Sequence, residues 1–137
     1  ATVWKLMEII GLKIHIDLPE LNGFNIPAKI DTGAFRTAVH CEKIELVNDG
    51  VREVLRVTLN WGEQTLLYSF EKFQKRTIKN SFGQTEERFC VRTLISIKGK
   101  NIRSEISFSI RKEMRYPILI GRKTIGKKFL IDVSKGF

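Results

Sequence analysis

The residues best suited to chemistry are Asp31, Thr32 and Gly33, which directly follow the largely apolar stretch 26–30. A carboxylate at the end of a buried strand is costly unless it is hydrogen-bonded or functional. The glycine lets another backbone approach closely, and its amide can reach the carboxylate. The triplet therefore indicates either a carboxylate that acts as a general acid or base, or an ordinary polar turn.

A second motif lies near the other end of the chain. Residues 116–122 read Tyr-Pro-Ile-Leu-Ile-Gly-Arg, an apolar run that is closed by Gly121 and Arg122. Such a run is typical of a short buried strand, and the glycine again permits close backbone approach.

Strands must position both motifs, because apolar and polar residues alternate with a period of two over most of the chain. This alternation covers residues 13–18, 51–59, 88–98 and 102–110. β-Branched and aromatic residues are abundant in these runs, and Gly-containing turn signals separate them.

Helix is scarce in the predicted structure. One short helix is expected near the C-terminus over 123–128, before a strand over 129–133, and a second short helical turn is expected over 37–41. Many short strands with tight turns predict an all-β fold, either a small closed or partly open barrel or a sandwich.

The composition is that of one globular domain, which we assign to residues 1–137. The chain is 42% hydrophobic and 28% charged, which argues against a disordered or fibrous protein. No apolar run reaches the roughly 20 residues that cross a bilayer, and the apolar opening 3–12 lacks the small-residue cleavage site of a signal peptide.

Two cysteines make no disulfide scaffold, so we expect reduced thiols and a cytoplasmic location. The net charge of +9 favours an acidic partner.

The order of the motifs resembles that of the retropepsin-like aspartic proteases, in which an acidic triplet, a Gly-containing hairpin and an apolar-apolar-Gly-Arg strand follow one another. Residues 29–34 with Ala38 and His40 are similar to a bacterial retropepsin-like family associated with RimK-type glutamate ligases. Its members are often labelled ATP-dependent zinc proteases of the RimK/LysX family. Here Phe35 and Arg36 depart from the family pattern, in which a single Arg or Tyr precedes Thr-Ser.

The resemblance implies a small barrel of the retropepsin (acid protease) type and an aspartic peptidase in which Asp31 is catalytic. That chemistry uses two carboxylates that share one proton, and two like charges so close cannot both ionise. The chain holds one Asp-Thr-Gly only. The resemblance therefore implies a homodimer in which each chain supplies one aspartate.

The resemblance also implies roles for the neighbours of Asp31. Thr32 is expected to hydrogen-bond across the two-fold axis or to cap its own turn. Gly33 is expected to approach the substrate backbone, and Ala34 to keep the floor of the site shallow.

The second motif supports the site in this interpretation. Ile120 and Gly121 are expected to pack behind the catalytic turn, and Arg122 either braces the dimer by pairing with a carboxylate or lies on the surface. The hairpin that contains Ser81, Phe82 and Gly83 is the candidate flap over a bound peptide, or else a plain exposed hairpin.

No metal or other cofactor is expected, despite the family label. His15, His40, Cys41 and Cys90 lack the spacing of a zinc site, and adjacent residues such as His40 and Cys41 point to opposite faces of a strand. No Gly-rich nucleotide loop of the Gly-x-x-x-x-Gly-Lys-Ser/Thr type occurs in the sequence.

The expected partners are a second copy of the chain, a peptide or protein substrate of acidic character, and a RimK-type glutamate ligase. No membrane partner is expected. Two alternatives to a peptidase stay open. One is a catalytically silent module that binds acidic peptides. The other, less favoured, is a basic barrel that binds nucleic acid through Phe70 and Phe73 among Lys72, Lys75 and Arg76.

Overall fold

The computed structural model describes residues 7–79, 82–110 and 115–137. Within these ranges strands dominate, and a short 3-10 turn over Pro19–Leu21 separates the second strand from the third. The elements are β1 (Glu8–Gly11), β2 (Lys13–Leu18), β3 (Gly23–Ile30), β4 (Thr37–His40), β5 (Lys43–Asn48), β6 (Glu53–Trp61), β7 (Gln64–Phe70), β8 (Gln74–Lys79), β9 (Thr85–Ile97), β10 (Lys100–Ser109), β11 (Ile118–Ile120), α1 (Arg122–Ile125) and β12 (Phe129–Asp132).

Six strands close into a barrel. They follow one another around the ring in the order β10, β4, β11, β3, β2 and β9, and β9 pairs back to β10. The first half of β9 extends beyond the ring and pairs with β8. The predicted all-β barrel with one short helix near the C-terminus is confirmed.

Two smaller sheets pack on this barrel. The antiparallel sheet β5–β6–β7 contributes Leu55, Val57 and Leu59 to the same hydrophobic core that the barrel strands fill. The parallel pair β1–β12 adds Ile10 and Phe129 to it. Burial of these apolar side chains is the main force that holds the three sheets together.

The short strand β11 lies at the centre of the arrangement that positions the two motifs. It pairs in parallel with the end of β3, which leads into Asp31, and antiparallel with β4. Ile118 and Ile120 are buried while Leu119, between them, is only partly covered. The two motifs, about 90 residues apart in the sequence, are therefore neighbours in the barrel.

The expected helical turn over 37–41 is wrong. Residues 37–40 form β4, which runs parallel to β10 and antiparallel to β11. Thr37 and Val39 are buried at alternate positions, so pairing with distant strands outweighs any local helical preference.

The other boundaries shift by a few residues. The helix α1 ends at Ile125, earlier than expected, because Gly126 closes it through a hydrogen bond to the Arg122 carbonyl. Val51 precedes β6 and is 80% exposed, since the turn 48–52 holds it outside the sheet. No helix within the described ranges is long and apolar enough to cross a membrane.

Replacing Ile118 by alanine is expected to lower the free energy of unfolding by about 2–5 kcal/mol, because it leaves a cavity between β3 and β4. Urea unfolding of both proteins measures the difference. The matched control is Val51→Ala at an exposed site, which should change the free energy by no more than about 0.5 kcal/mol. Equal effects of the two substitutions would contradict the assigned core.

Candidate functional site

Asp31 lies in a tight turn where β3 leaves the barrel. Its backbone N–H donates to the Ile120 carbonyl oxygen at 2.9 Å, which fixes the start of the turn against β11. The Gly33 N–H donates to Oδ1 of Asp31 at 3.1 Å, and the Ala34 N–H donates to the Asp31 carbonyl oxygen at 3.2 Å. The carboxylate is half-buried and oriented by its own turn, whereas Thr32 and Gly33 are exposed.

The segment from β11 into α1 supports this turn from behind, where Ile120 and Gly121 were expected. The N–H of Arg122 donates to the Ala34 carbonyl and that of Lys123 to the Phe35 carbonyl, both at 2.9 Å. The Arg122 guanidinium donates to the Thr32 carbonyl oxygen at 2.8 Å. Among the described residues, the partner of Arg122 is therefore a backbone oxygen of the turn.

Gly121 permits the closest approach in the site. A Cβ atom there would lie 2.4 Å from the carbonyl oxygen of Arg36 and 2.6 Å from that of Phe35. Both are backbone atoms that cannot rotate away, so any side chain at position 121 would push the turn out of place.

A buried group of hydroxyls ties the same elements together. The Oγ1 atoms of Thr37 and Thr124 are 2.6 Å apart, and the Ser104 hydroxyl is 3.0 Å from Thr124. The Gly121 N–H donates to Thr37 Oγ1 at 3.1 Å. The sequence analysis missed these residues, since their partners are 20 to 87 positions away and no local pattern announces them.

A cleft of about 600 Å³ opens beside Asp31. The turn lines it through Asp31, Gly33, Ala34, Phe35 and Arg36, and Arg122 and Leu119 lie next to them. Residues Thr77, Ile78 and Lys79 of β8 and Arg88 of β9 line it as well. Among these described lining residues there is one carboxylate, Asp31, and there are four cations.

The candidate flap rises from a wall of this cleft, because it connects β8 to β9. Ser81 lies outside the described residues. Phe82 is 88% exposed, and Gly83 has a φ of +80°, the left-handed conformation that favours glycine in a turn. The hairpin therefore presents an exposed aromatic side chain at its tip.

Glu105 is a buried carboxylate that the sequence analysis also missed. It lies on β10 and accepts a two-pronged hydrogen bond from Arg76 of β8, with Nη2 2.9 Å from Oε2. The Nε of Arg36 donates to Oε1 at 3.2 Å. Burial by itself would raise the pKa of Glu105, but the bonds and charge of Arg76, with the bonds from Cys90 and Arg36, outweigh it and hold that pKa below its ordinary value.

The cysteines are both free and buried. Burial, followed by the charge of Glu42, raises the pKa of the Cys41 thiol to about 11. Burial, followed by the charge of Glu105, raises the pKa of the Cys90 thiol to about 11. Burial therefore favours the protonated form of both thiols. The described ranges contain no group of three His, Cys, Asp or Glu side chains that could hold a metal ion.

Two cations of the basic cluster near β8 are paired within the protein. Lys75 pairs with Glu87 at 3.0 Å, and Arg76 pairs with Glu105. The ring of Phe70 packs 5.7 Å from that of Phe108, and Phe73 packs 6.0 Å from Phe89. These rings belong to the core and its margin, which weakens the interpretation of this cluster as a platform on which bases stack.

Comparison with protein families decides the assignment. The family model "RimB-like: Retropepsin-like aspartic endopeptidase RimB" matches residues 9–137. The chain belongs to the RimB-like family. The predicted relationship to the retropepsin-like proteases associated with RimK-type ligases is thereby confirmed.

Curated relatives of the chain carry a ligase name. A "Probable alpha-L-glutamate ligase" of Shewanella pealeana is 29% identical over 94% of this RimB-like chain and 29% of its own length. One of Desulfotalea psychrophila with the same name is 30% identical over 91% of this chain and 28% of its own. The chain thus spans less than a third of the length of these curated relatives.

A solved structure shows the same fold. The crystal structure of a Legionella pneumophila protein, titled as having unknown function, superposes with a TM-score of 0.75. The superposition covers 95% of the RimB-like chain and 96% of the other chain at 24% sequence identity.

Gly121→Ala is expected to destabilise the protein by about 1–3 kcal/mol or more, because the new Cβ overlaps the backbone of residues 35 and 36. Thermal or urea unfolding measures the loss. Gly136→Ala is the matched control, since a Cβ there meets nothing within 4 Å and should leave stability nearly unchanged. A Gly121→Ala protein as stable as the native one would contradict the close packing of the turn.

Glu105 is expected to stabilise the fold in a pH-dependent way. Because its pKa is lowered in the folded state, its contribution is complete above the ordinary value of 4.5 and is lost as the pH falls through the folded-state pKa. The difference in free energy of unfolding between native protein and Glu105→Gln should therefore shrink as the pH is lowered below 4.5. Other titrating groups cancel in this difference. A difference that stays constant or grows on acidification would contradict the ion-paired state.

Proposed function

We propose that the protein is an aspartic-type peptidase that works as a homodimer, with Asp31 of each chain forming the catalytic pair. The observation that carries this proposal is that Asp31 is the one carboxylate among the described residues that line the cleft. It is oriented by the Gly33 amide and lies near the hairpin between β8 and β9, which we expect to close over a bound peptide.

The other aspartates support a two-chain site because local turns already use them. Asp17 accepts the Asn25 N–H at 2.7 Å, and Asp132 accepts the Ser134 N–H at 3.0 Å. Asp49 accepts the N–H groups of two residues in the turn that follows it. We therefore expect the second catalytic carboxylate to come from a second chain, since a two-fold axis brings identical residues together.

Gly33 gives a further reason to expect a second backbone at the site. Its φ is not in the left-handed region, and a Cβ there would meet only Asp31 Oδ1, at an ordinary 3.4 Å. Nothing within the described chain therefore requires glycine at this exposed position. A substrate or partner backbone that packs directly on the turn would require it.

In the proposed reaction a water molecule lies between the two carboxyl groups. The ionised carboxylate takes a proton from the water, and the water oxygen attacks the scissile carbonyl carbon. At the same time the protonated carboxyl group donates its proton to the carbonyl oxygen. Collapse of the resulting tetrahedral diol breaks the C–N bond and transfers a proton to the leaving amine. The apparent pKa values of this chemistry belong to the pair.

We propose an acidic peptide as the substrate. The four cations that line the cleft against one carboxylate favour a chain of negative charges. The ligase name of the curated relatives adds a reason to choose glutamate-rich or glutamyl-tailed peptides, and to expect a RimK-type ligase as a functional partner. A catalytically silent binding module would bind the same peptides without cleaving them. Measuring peptide cleavage therefore distinguishes a peptidase from such a module.

The experiment is incubation of native protein and Asp31→Asn with peptides that end in a run of glutamates, with and without a metal chelator. We expect the native protein to cleave them regardless of chelator, and the variant to be slower by about 10²–10⁴-fold or more, since it lacks the acid–base carboxylate. Product masses after timed incubation give the rates. Asp49→Asn, an identical change in a remote turn, is the control and should retain full activity.

Chelator-sensitive cleavage that survives in Asp31→Asn would contradict the aspartic mechanism. Binding of the peptides without cleavage by native protein would identify the silent binding module instead.

A further inference from the structure

We infer that Arg36 is a specificity-determining residue that binds the side-chain carboxylate of a substrate glutamate, and that Glu105 is the positioning residue that orients it. This inference rests on the proposed function, because it names the acidic group that the cleft selects. It concerns residues that no catalytic step uses.

The contacts of Arg36 leave one edge of its guanidinium available. Its Nε donates to Glu105 Oε1 at 3.2 Å, and its side chain, 27% exposed, lines the cleft. Among the described residues, Nε is the atom of Arg36 that donates a side-chain hydrogen bond, and Nη1 and Nη2 donate none. Two parallel N–H groups on such an edge match the two oxygens of a carboxylate.

The charge around Glu105 also favours an anion at Arg36. Arg76 occupies both Glu105 oxygens, so this pair is close to neutral by itself. Arg36 bonds to the same carboxylate through its Nε only. The two guanidinium groups and the one carboxylate together therefore carry one net positive charge. That charge is held at the cleft by a buried partner, so little side-chain freedom remains to be lost on binding.

The other cations of the cleft are held differently from Arg36. Arg88 directs both Nε and Nη2 to Glu86, and Arg122 donates through Nη1 to the Thr32 carbonyl. Lys79 offers a flexible ammonium without a planar fork. Arg36 differs from all three, because a buried carboxylate anchors its Nε and leaves both Nη groups for a ligand.

Phe35 supplies the apolar part of the same subsite. It is 48% exposed, lines the cleft, and its ring centre lies 5.5 Å from Arg36 Cζ. Arg122 Cζ and Lys123 Nζ lie 5.9 Å and 5.7 Å from the same ring. A glutamate side chain has two methylenes that can pack on the ring before its carboxylate meets the cations, whereas an aspartate has one. This arrangement gives a role to the Phe35-Arg36 pair that departs from the family pattern.

The test measures binding without requiring turnover. In an Asp31→Asn background, fluorescently labelled tetraglutamate, tetraglutamine and tetra-aspartate are titrated with protein, and anisotropy gives the dissociation constants. We expect tetraglutamate to bind most tightly and Arg36→Gln to weaken it by about 10- to 100-fold, with little change for tetraglutamine. Arg52→Gln removes the same charge from an exposed pair with Glu71 and should leave all three constants unchanged.

Glu105 is tested by the ratio of the tetraglutamine dissociation constant to the tetraglutamate dissociation constant, which measures the preference for tetraglutamate. Glu105→Gln should reduce this ratio because Arg36 is no longer held, whereas a purely structural role would lower the melting temperature and leave the ratio as it was. If Glu105→Gln fails to fold, Arg36→Lys is measured instead. This variant keeps the charge but loses the two parallel N–H groups, and it should lose part of the preference for tetraglutamate over tetraglutamine.

The inference is overturned if the Asp31→Asn protein does not bind tetraglutamate, if adding Arg36→Gln leaves the binding as tight as before, or if adding Arg52→Gln weakens it as much. Failure of the proposed peptidase activity is a separate result, since it appears as absent cleavage in the Asp31-containing protein while these binding constants stay measurable.

Discussion

The contact on which the site depends is that between the backbone of residues 120–123 and the turn that carries Asp31. Three backbone hydrogen bonds and the Arg122 side chain join the two segments, and Gly121 allows them to touch without an intervening side chain. Because β11 is itself held between β3 and β4, the turn is fixed to the centre of the barrel rather than to a mobile loop. A catalytic group positioned in this way needs little reorganisation before it acts.

Buried polar groups set this end of the barrel apart from an ordinary apolar core. Thr37, Thr124, Ser104 and Glu105 are buried, and each has a hydrogen-bond partner. Within the described ranges no buried side-chain nitrogen or oxygen lacks one. Such groups cost free energy only when they are left unsatisfied, so a complete set fixes the relative positions of β4, β10 and α1. Through Arg76, Glu105 links β10 to β8, which forms a wall of the cleft.

Much of this fold could be predicted from alternation and turn residues, because β2 and β9 each bury one face and expose the other. The motif around Asp31 and the Gly-Arg motif were recognisable because their residue types serve local backbone geometry. Glu105 could not be found in this way. The alternation over 102–110 places it on the polar face of a strand, but residues 104–108 of β10 are buried on both faces. Its partners Arg36 and Arg76 are 69 and 29 positions away, so only the closed barrel brings them together.

The central proposal is that two chains share one catalytic pair, and mixing of subunits tests it most directly. Native protein and Asp31→Asn are combined at constant total concentration, allowed to exchange subunits, and assayed on a glutamate-tailed peptide. If both aspartates of a dimer are required, activity should fall as the square of the native fraction, since only native–native dimers are active. A linear fall after verified exchange would mean that each chain acts alone, and would contradict the shared pair.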